Sequence, residues 1–271
     1  MYNMKISSWN ISFLPTAKPY INVLLTELDS DILFISEHRL FKNELYKLND
    51  INDDYCVISK ASSDLETKFQ SVKFGHCGVA MFYKKSLANN IRTIQCESDR
   101  ICVLEISNVV NSKSLFVIGV YLPQQGCKIS SFMHHVDILT DTIEQCKLEG
   151  EICLIGDFNC HFSKEMGKRF YGKSNRNAKM LYEVLSACSM FIIDSEHDLC
   201  NGPCYTFFVE GIGKSYIDHC AVTPGLREYV NNCMILEDCI ENTSDHLPII
   251  VSMKVSISEC VMLPCQRKRI K

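Results

Sequence analysis

The sequence contains no stretch long and apolar enough to cross a membrane, and its N-terminus lacks the charged-then-apolar layout of a secretory signal. We therefore expect a soluble intracellular protein without a membrane partner. The chain also lacks a C-x-x-C pair and a G-x-S-x-G nucleophile elbow, which argues against a thiol-bound zinc module and an α/β serine hydrolase. Its formal net charge of −4 means that contact with a polyanion requires a local basic surface.

Cysteine, in contrast, is abundant, with 16 residues. Several cysteines lie inside apolar runs, as Cys102 and Cys153 do, where cysteine behaves as a small hydrophobic residue. Because no export signal is present, we expect reduced thiols. His197, Cys200 and Cys204 are close enough in sequence to suggest zinc. No fourth ligand is evident, so we favour the interpretation without zinc.

The chain has 271 residues, 46% of them hydrophobic, which suffices for one large core. It has no repeat at a fixed period and no linker rich in Gly, Ser or Pro. We therefore predict one domain over residues 1–256 and a basic C-terminal tail or linker over 257–271. The tail ends in Arg-Lys-Arg-Ile-Lys at 267–271, and we interpret this cluster as solvated.

Apolar runs of strand length alternate with helical stripes, and several runs are apolar on both parities, as in strands covered on both faces. The predicted strands are 4–9, 32–36, 79–83, 101–106, 115–121, 151–155, 190–193, 205–209, 216–222 and 247–251. The predicted helical stripes are 21–28, 132–143 and 180–185, and surface loops are expected at 59–76 and 167–177.

Local signals refine this prediction. Pro19 suits the first position of the first helix, and Ser130 or Ser131 is a suitable N-cap for the second. The connections between 79–83, 101–106 and 115–121 are too short for crossover helices, which indicates antiparallel pairing. The fold class we predict is a four-layered α/β sandwich, with two packed mixed β-sheets flanked by helices.

The most informative stretch is Asp157-Phe158-Asn159, which follows the apolar run 151–155 and Gly156. In extended backbone the side chains at i and i+2 point the same way, so a carboxylate and an amide would face one direction. Strand ends are where α/β proteins usually place their chemistry. Asp and Asn also favour turns, so a turn explains this pair equally well.

The other strand ends favour a functional site over a simple turn, because each of them carries an acid, amide, phenol or imidazole. Singly, each of these residues has an ordinary explanation as a turn or loop residue. Together they are the parts required for metal-assisted hydrolysis of a phosphate ester. The strand ends carry Asn10, Glu37, Tyr121, Asp157 with Asn159, Asp218, and Asp245 with His246.

Each part of that chemistry has a candidate. Glu37 is the best carboxylate for Mg²⁺, which takes one or two carboxylates and keeps several waters. Asp157 fits the group that aligns and deprotonates water, and Asp218 fits the acid that orients or charges a histidine. Donors for the phosphate are Asn10, Asn159, Tyr121 and His246.

The order of these motifs resembles the endonuclease/exonuclease/phosphatase superfamily from about residue 5 to 251. The motifs are Trp9-Asn10, Ile35-Ser36-Glu37, Val120-Tyr121, Gly156-Asp157-Phe158-Asn159, Ile217-Asp218-His219 and Ser244-Asp245-His246. Local stretches are most similar to the apurinic-type endonuclease domain of non-LTR (LINE-like) retrotransposons, namely 36–40, 78–83, 98–100, 205–207 and 244–248. One departure is Cys77-Gly78, where family members often carry Gly-Gly.

The resemblance implies a role for each matching residue. Glu37 binds the metal, Asp157 activates water, and His246 contacts the scissile phosphate with Asp218 behind it. It also implies that Asp245 lies beside the metal or leaving group and that Thr206 lines the DNA surface. From their charge, Lys173, Arg176 and Lys179 are candidates for phosphate contacts, although a solvated loop explains them equally well. Asn10 is a further candidate metal ligand.

The function expected from this resemblance is that of a Mg²⁺-dependent DNA endonuclease, with Mn²⁺ as a substitute ion, that leaves 3′-hydroxyl and 5′-phosphate ends. It would nick double-stranded target DNA in the nucleus for target-primed reverse transcription, with a reverse transcriptase domain in a longer polyprotein as partner. No aromatic-x-Asp-Asp polymerase motif is present, so we expect an excised domain or a stand-alone descendant. Alternatives are a phosphodiesterase or phosphatase for inositol phosphates or lipids, an abasic-site repair nuclease, and a degenerate relative that only binds.

Overall fold

Two mixed β-sheets form the centre of the protein in a computed structural model that describes residues 1–62, 74–110 and 113–257. The strands, numbered along the chain, are β1 (Tyr2–Asn10), β2 (Ile32–Ser36), β3 (Tyr55–Lys60), β4 (Val79–Lys84), β5 (Ile91–Ile94), β6 (Ile101–Val110), β7 (Lys113–Tyr121), β8 (Gly150–Asp157), β9 (Phe191–Ile192), β10 (Cys200–Asn201), β11 (Phe207–Val209), β12 (Gly213–Ser215), β13 (Asp218–Val222), β14 (Val230–Ile235) and β15 (Ile249–Val255). The helices are α1 (Leu14–Thr26), α2 (Ile129–Glu149), α3 (Arg176–Ala187) and α4 (Pro224–Arg227), with 3₁₀-helices at Lys42–Leu48, Lys85–Asn90 and Ile193–Ser195.

The seven-stranded sheet has the order β10-β14-β15-β1-β2-β4-β3, and the six-stranded sheet has the order β5-β6-β7-β8-β13-β9. Both are mixed, because β1 runs parallel to β2 but antiparallel to β15, and β8 runs parallel to β7 but antiparallel to β13. Strands β11 and β12 form a separate two-stranded ribbon. Parallel pairs such as β1–β2 and β7–β8 matter for function because they bring two carboxyl ends to the same edge.

Helices cover the outer faces of the two sheets, which explains the strands that are apolar on both parities. Leu24 and Leu25 of α1 belong to one buried cluster with Leu33 of β2. Phe132 and Leu139 of α2 are buried in the main cluster, which also holds side chains of both sheets. The predicted α/β sandwich is therefore confirmed. No helix in the described ranges has the length and apolar character needed to span a bilayer.

The two sheets approach closely at Gly119 of β7. A Cβ atom added there would lie 2.1 Å from the ring of Phe34 in β2, which is far inside van der Waals contact. The missing side chain leaves room for the Phe34 ring, which is fully buried. This contact holds β7 and β2 against each other, and both strands end at the candidate active site described below.

Both helix starts predicted from local signals are wrong. Helix α1 begins at Leu14 with Pro15 in its first turn, so Pro19 lies inside the helix. Pro19 has no N–H to donate to the carbonyl of Pro15, so α1 lacks one hydrogen bond at this turn. Helix α2 begins at Ile129, with Lys128 as an N-cap that makes no side-chain hydrogen bond, so its start lacks the side-chain cap on which the prediction relied.

The predicted antiparallel series is correct only for β6 and β7, since β4 pairs with β2 and β3 in the other sheet. The segment Lys85–Asn90 connects β4 in one sheet to β5 in the other. The length of a connection does not show whether the two strands that it joins belong to the same sheet. Strands β3, β5, β10, β12 and β14 were missed; β3, for example, has one buried residue followed by five that are half-buried. Residues 63–73 of the expected loop 59–76 and residues 258–271 of the basic tail lie outside the described residues.

Candidate active site

The polar strand ends predicted from the sequence meet at one edge of the sandwich. Asn10 is the Cα partner of Ser36 across β1 and β2, and Tyr121 is the partner of Asp157 across β7 and β8. Asp218, the first residue of β13, also pairs with Asp157. A cleft of about 450 Å³ opens at this edge, and its lining includes Glu37, Tyr121, Asp157, Asn159, Asp245 and His246.

The backbone at the end of β8 explains how Asp157 and Asn159 reach the cleft. Gly156 has a φ of 150°, and a Cβ atom there would lie 2.0 Å from the carbonyl oxygen of Val120, so only glycine fits. Asn159 has a φ of 50°, and its N–H donates to Oδ1 of Asp157 at 2.8 Å. The turn and the polar site are therefore the same structure, because the turn presents both residues to the cleft. The side-chain amide of Asn159 donates to the carbonyl of Leu122 at 2.9 Å.

Asn10 joins two carboxylates of the site. Its Nδ2 donates to Oε1 of Glu37 at 3.1 Å and to Oδ2 of Asp157 at 2.9 Å. Its Oδ1 accepts from the N–H of Ser12 at 3.1 Å, and the Ser12 hydroxyl donates to Asp245 at 2.7 Å. Both amide hydrogens of Asn10 are thus used within the protein. The residue connects the ends of β1, β2 and β8 in one network.

Glu37 follows β2 with a φ of 60° and accepts hydrogen bonds at both carboxylate oxygens. Tyr121 donates to Oε1 at 2.9 Å and Arg39 to Oε2 at 2.8 Å. Burial alone would raise the pKa of Glu37, but hydrogen bonds from Arg39, Asn10 and Tyr121 hold it below the usual range. Burial, and then the charge of Glu37, raises the pKa of Tyr121, so its phenol stays a neutral donor.

His246 and Asp218 form a buried ion pair behind the cleft. Nδ1 of His246 lies 2.8 Å from Oδ2 of Asp218. Burial alone would lower the pKa of His246, but the Asp218 carboxylate raises it to about 10. The imidazole is therefore protonated at neutral pH and carries a positive charge at the cleft wall.

The pKa of Asp157 is raised as well, which in a carboxyl group favours the neutral form. Burial and then the neighbouring charge of Asp218 raise the pKa of Asp157 to about 7, although His246 and Asn10 act to lower it. A carboxyl group with this pKa is ionised in a substantial fraction of molecules at neutral pH and remains basic enough to accept a proton. Strong perturbation by burial and a charge partner in a cleft is typical of functional sites.

The residues present also fit a divalent cation. The candidate ligand atoms of Asp157, Asp218 and His246 lie within 4.8 Å of one another. Oδ1 of Asp218 is buried, and within the described part of the chain it has no hydrogen-bond partner. A buried carboxylate oxygen without a donor is costly, and a nearby cation would remove that cost. No comparable group forms around His197, Cys200 and Cys204 in the described residues, so zinc has no support there.

The proposed DNA-contacting residues lie elsewhere. Thr206 is fully buried, and its hydroxyl accepts from the N–H groups of Ile217 and Asp218 at 3.0 and 2.9 Å. It therefore supports the start of β13 and does not lie on a surface, which corrects its predicted placement. Lys173 and Arg176 are exposed, outside the cleft lining, in the loop before α3 and at the start of that helix.

Several residues of the site were not assigned a role from the sequence. Besides Ser12 and Arg39, Arg100 places its guanidinium 4.7 Å from the ring centroid of Tyr121 and donates to Sγ of Cys77 at 3.1 Å. Arg39 and Arg100 lie inside the motifs at 36–40 and 98–100, which is the signal that could have identified them. Cys77 has a φ of 56°, the left-handed region favoured by glycine, at the position where the family often has glycine.

One further sequence pattern, for which no function was predicted, suggests a phosphate-binding loop. Residues 167–174 match the spacing G-x-x-x-x-G-K-S of a phosphate-binding loop. In that loop the backbone N–H groups must face a phosphate. Here the N–H of Phe170 donates to Gly167, and the N–H of Arg169 donates to the carbonyl of Ser195. The Arg169 side chain is buried against backbone carbonyls of 200–203. The N–H groups of Arg169 and Phe170 are therefore used within the protein and do not face a phosphate site.

Comparison with known proteins agrees with this architecture. Residues 7–246 match the family described as Endonuclease/Exonuclease/phosphatase. No curated protein matches the sequence significantly. Among solved structures, an AP endonuclease from Leishmania major has a TM-score of 0.70 and 16% identity, covering 93% of this chain and 88% of that one.

Two further structures share the fold at low identity. A 3′ phosphatase from Neisseria, bound to a product DNA hairpin, has a TM-score of 0.68 and 18% identity over 93% of this chain and 99% of that chain. The endonuclease domain of TRAS1, a telomere-specific non-LTR retrotransposon, has a TM-score of 0.65 and 12% identity over 93% and 99% of the two chains.

Proposed function

The chain belongs to the endonuclease/exonuclease/phosphatase family, whose members are metal-dependent phosphodiester hydrolases, and from that premise we propose that it is a Mg²⁺-dependent DNA endonuclease. The proposed reaction is attack of an activated water on a phosphodiester, leaving 3′-hydroxyl and 5′-phosphate ends. One observation carries this proposal: three groups suited to the reaction line the same cleft. They are the Asp157 carboxyl group with a pKa of about 7, the protonated imidazole of His246 and the hydrogen-bonded carboxylate of Glu37.

Asp157 is the proposed general base. Its pKa of about 7 places it where a base is most effective at neutral pH. Asn10 donates to Oδ2, and the N–H of Asn159 donates to Oδ1, so the carboxylate has a fixed direction. A base with a fixed direction positions the attacking water as well as deprotonating it. This lowers the entropic cost of bringing the water into line with the phosphate.

His246 is the proposed phosphate contact. Its pKa of about 10 keeps the imidazole charged, and Asp218 holds Nδ1, so Nε2 is the nitrogen available for a phosphate oxygen. Tyr121 remains a neutral donor beside Glu37. Fixed donors directed at developing negative charge are the usual source of large rate enhancements.

Glu37, Asn10 and Asp245 are the proposed ligands for Mg²⁺, with Mn²⁺ as a substitute, because Mg²⁺ prefers oxygen donors. When bound, the cation supplies polarisation of the phosphate and neutralisation of charge. In the structure, Arg39 provides the positive charge beside Glu37. The group formed by Asp157, Asp218 and His246 is the less favoured location, because an imidazolium carries N–H on both ring nitrogens and His246 then has no lone pair to offer a cation.

The proposed substrate is double-stranded DNA, with Lys173 and Arg176 as contacts to flanking phosphates. Specific motifs, among them Ser36-Glu37-His38-Arg39-Leu40 and Ser244-Asp245-His246-Leu247-Pro248, support a role like that of non-LTR retrotransposon endonucleases. In that role the nick made in nuclear target DNA would prime a reverse transcriptase carried in the same polyprotein.

The decisive experiment incubates the purified chain with supercoiled plasmid in MgCl₂, in MnCl₂ and in excess EDTA. We expect open-circular product with either metal and none in EDTA. The nicks are then treated with DNA ligase, which seals only 3′-hydroxyl and 5′-phosphate ends. Parallel reactions contain an abasic duplex, an A·T-rich duplex and inositol phosphates.

Nicking that persists in EDTA, or nicks that ligase cannot seal, would contradict the proposed chemistry. Preferential cleavage of the abasic duplex would instead indicate a repair nuclease. Hydrolysis of inositol phosphates without any cleavage of DNA would place the chain in a different branch of the family.

A further inference from the structure

A second buried pair of a carboxylate and an imidazole lies beside the candidate active site. Asp194 belongs to the 3₁₀-helix Ile193–Ser195, and its Oδ2 lies 2.7 Å from Nδ1 of His219. Both side chains are fully buried. His219 follows Asp218 directly in β13. None of the roles proposed above uses this pair.

The hydrogen bonds of His219 define its charge. Nε2 lies 2.9 Å from the carbonyl oxygen of Cys160, while Nδ1 faces the Asp194 carboxylate. A carbonyl accepts only, and an ionised carboxylate accepts only, whereas a neutral imidazole has a single N–H. Both contacts are satisfied when the ring is an imidazolium. The other oxygen of Asp194 accepts from the N–H of Cys220 at 2.7 Å, so the carboxylate is held at both oxygens.

Aromatic rings enclose this imidazolium. The ring of Tyr216 stacks on it with an interplanar angle of 23° and a centroid distance of 5.1 Å. Aromatic faces stabilise a cation and exclude the water that would otherwise replace its hydrogen bonds. The other rings, at centroid distances of 4.7 to 5.4 Å, are those of Phe158, Phe162 and Phe170.

The contacts of His219 tie together the two segments that carry the catalytic carboxylates. Cys160 comes three residues after Asp157, beyond the left-handed backbone of Asn159. Through its ring, His219 bonds this segment to β13, whose first residue is Asp218. Asp157 and Asp218 are direct Cα partners, so a shift at either anchor would change the distance between their carboxylates.

We propose that the Asp194–His219 ion pair is a positioning device for the two catalytic carboxylates of the cleft, and this inference rests on the proposed hydrolase function. Neither Asp194 nor His219 lies in the lining of the cleft. It acts through the backbone on which Asp157 and Asp218 are mounted.

Kinetics of three variants test this role on a duplex oligonucleotide in saturating MgCl₂. Asp194→Ala removes the partner of His219, and we expect kcat to fall about 10- to 100-fold with KM unchanged, because small misplacements of reacting groups cost rate. Asp194→Asn is the conservative rescue. Its amide can donate to Nδ1 of a neutral His219 while its oxygen accepts from Cys220, so both contacts persist and most of kcat should return.

Ser195→Ala is the matched control. Ser195 is buried in the same 3₁₀-helix, and its hydroxyl bonds to the carbonyl of Ile192 without touching the ion pair. We expect its kcat to equal that of the parent. If Asp194→Ala does not fold, His219→Gln replaces it in the same comparison.

A spectroscopic measurement separates this inference from the proposed function. In ¹⁵N-histidine NMR of the metal-free chain, both ring nitrogens of His219 should be protonated, with the signal assigned by its loss in His219→Gln. A neutral ring in the parent would overturn the ion pair. An unchanged kcat in folded Asp194→Ala would overturn the positioning role. If the parent hydrolyses no phosphodiester, the proposed function and the positioning role both fall, while the NMR signal still decides the ion pair.

Discussion

Nδ1 of His246 lies 2.8 Å from Oδ2 of Asp218, with both residues buried at the end of the cleft. This pair fixes two properties of the imidazole at once. The carboxylate raises the pKa of His246 to about 10, and it occupies one nitrogen so that the other can face a phosphate. The role proposed for His246 therefore depends on Asp218.

The first prediction concerns this pair. His246→Gln removes the cation at the phosphate, and we expect kcat for plasmid nicking to fall by about 10²- to 10³-fold, as when one donor to a developing oxyanion is removed. Asp218→Asn removes the charge that keeps the imidazole protonated, so it should also lower kcat. His197→Gln, which changes an exposed histidine, is the control and should match the parent. A decrease of less than about tenfold in His246→Gln would show that the role is misassigned.

The second prediction is a pH dependence of stability in metal-free buffer. The pKa of His246 is raised from 6.5 to about 10 on folding, so the pair stabilises the folded state fully below 6.5 and loses that contribution as pH rises through about 10. The difference in free energy of unfolding between the parent and His246→Gln should shrink over this window. Urea denaturation at the two ends of the window measures it. A difference that grows with pH would contradict the charged pair.

The third prediction concerns the metal. Glu37→Gln keeps the shape of the side chain but removes the charge that would attract Mg²⁺. We expect the MgCl₂ concentration for half-maximal activity to rise at least about tenfold, equivalent to about 1.4 kcal/mol of binding free energy. Glu228→Gln, an exposed glutamate beyond the opposite end of β13, is the matched control. An unchanged Mg²⁺ requirement in Glu37→Gln would favour the group around Asp157 as the metal site.

The architecture was predictable from the sequence because buried strands leave a direct pattern. β2 was predicted at its observed bounds, and the long apolar runs became β1, β7 and β8 with small extensions. Short strands with few buried positions, such as β3, leave no such pattern. Pro19 led to a wrong helix start. Proline is common in the first turn of a helix, but Pro19 lies inside α1, and Pro15 is the proline of its first turn.

The identity of the site residues was easier to predict from the sequence than the contacts between them. The position of Asn10, Glu37 and Asp157 at strand ends indicated one shared site, because α/β proteins usually place their chemistry at strand ends. It could not show that Asn10 would donate to both carboxylates, because that depends on side-chain rotamers and on the positive φ of Glu37. The burial of Thr206 was also hidden, since a threonine in a half-apolar segment fits a surface as well as a core.

The fourth prediction concerns DNA contacts outside the cleft. Lys173→Gln and Arg176→Gln each remove one exposed positive charge. If each contacts a phosphate, each change should weaken DNA binding and reduce the slope of log K against log salt by about one. Lys113→Gln, an exposed change at the opposite end of β7, should leave the slope unchanged. Slopes measured by fluorescence anisotropy in Ca²⁺ instead of Mg²⁺ decide this, and equal slopes for all variants would assign both residues to a solvated loop.

The last prediction tests how the strand end presents Asp157. Gly156→Ala places a methyl group 2.0 Å from the carbonyl oxygen of Val120, at a φ of 150° that side chains rarely adopt. Both effects strain β8 at the residue before Asp157, and we expect the free energy of unfolding to fall by about 1–3 kcal/mol. The carboxylate should also shift, so kcat should fall in the molecules that remain folded. Gly126→Ala is the control, because a Cβ atom there meets nothing within 4 Å. Equal stability of the two variants would show that β8 can move away from β7 at this point, and the fixed direction assigned to Asp157 would then be wrong.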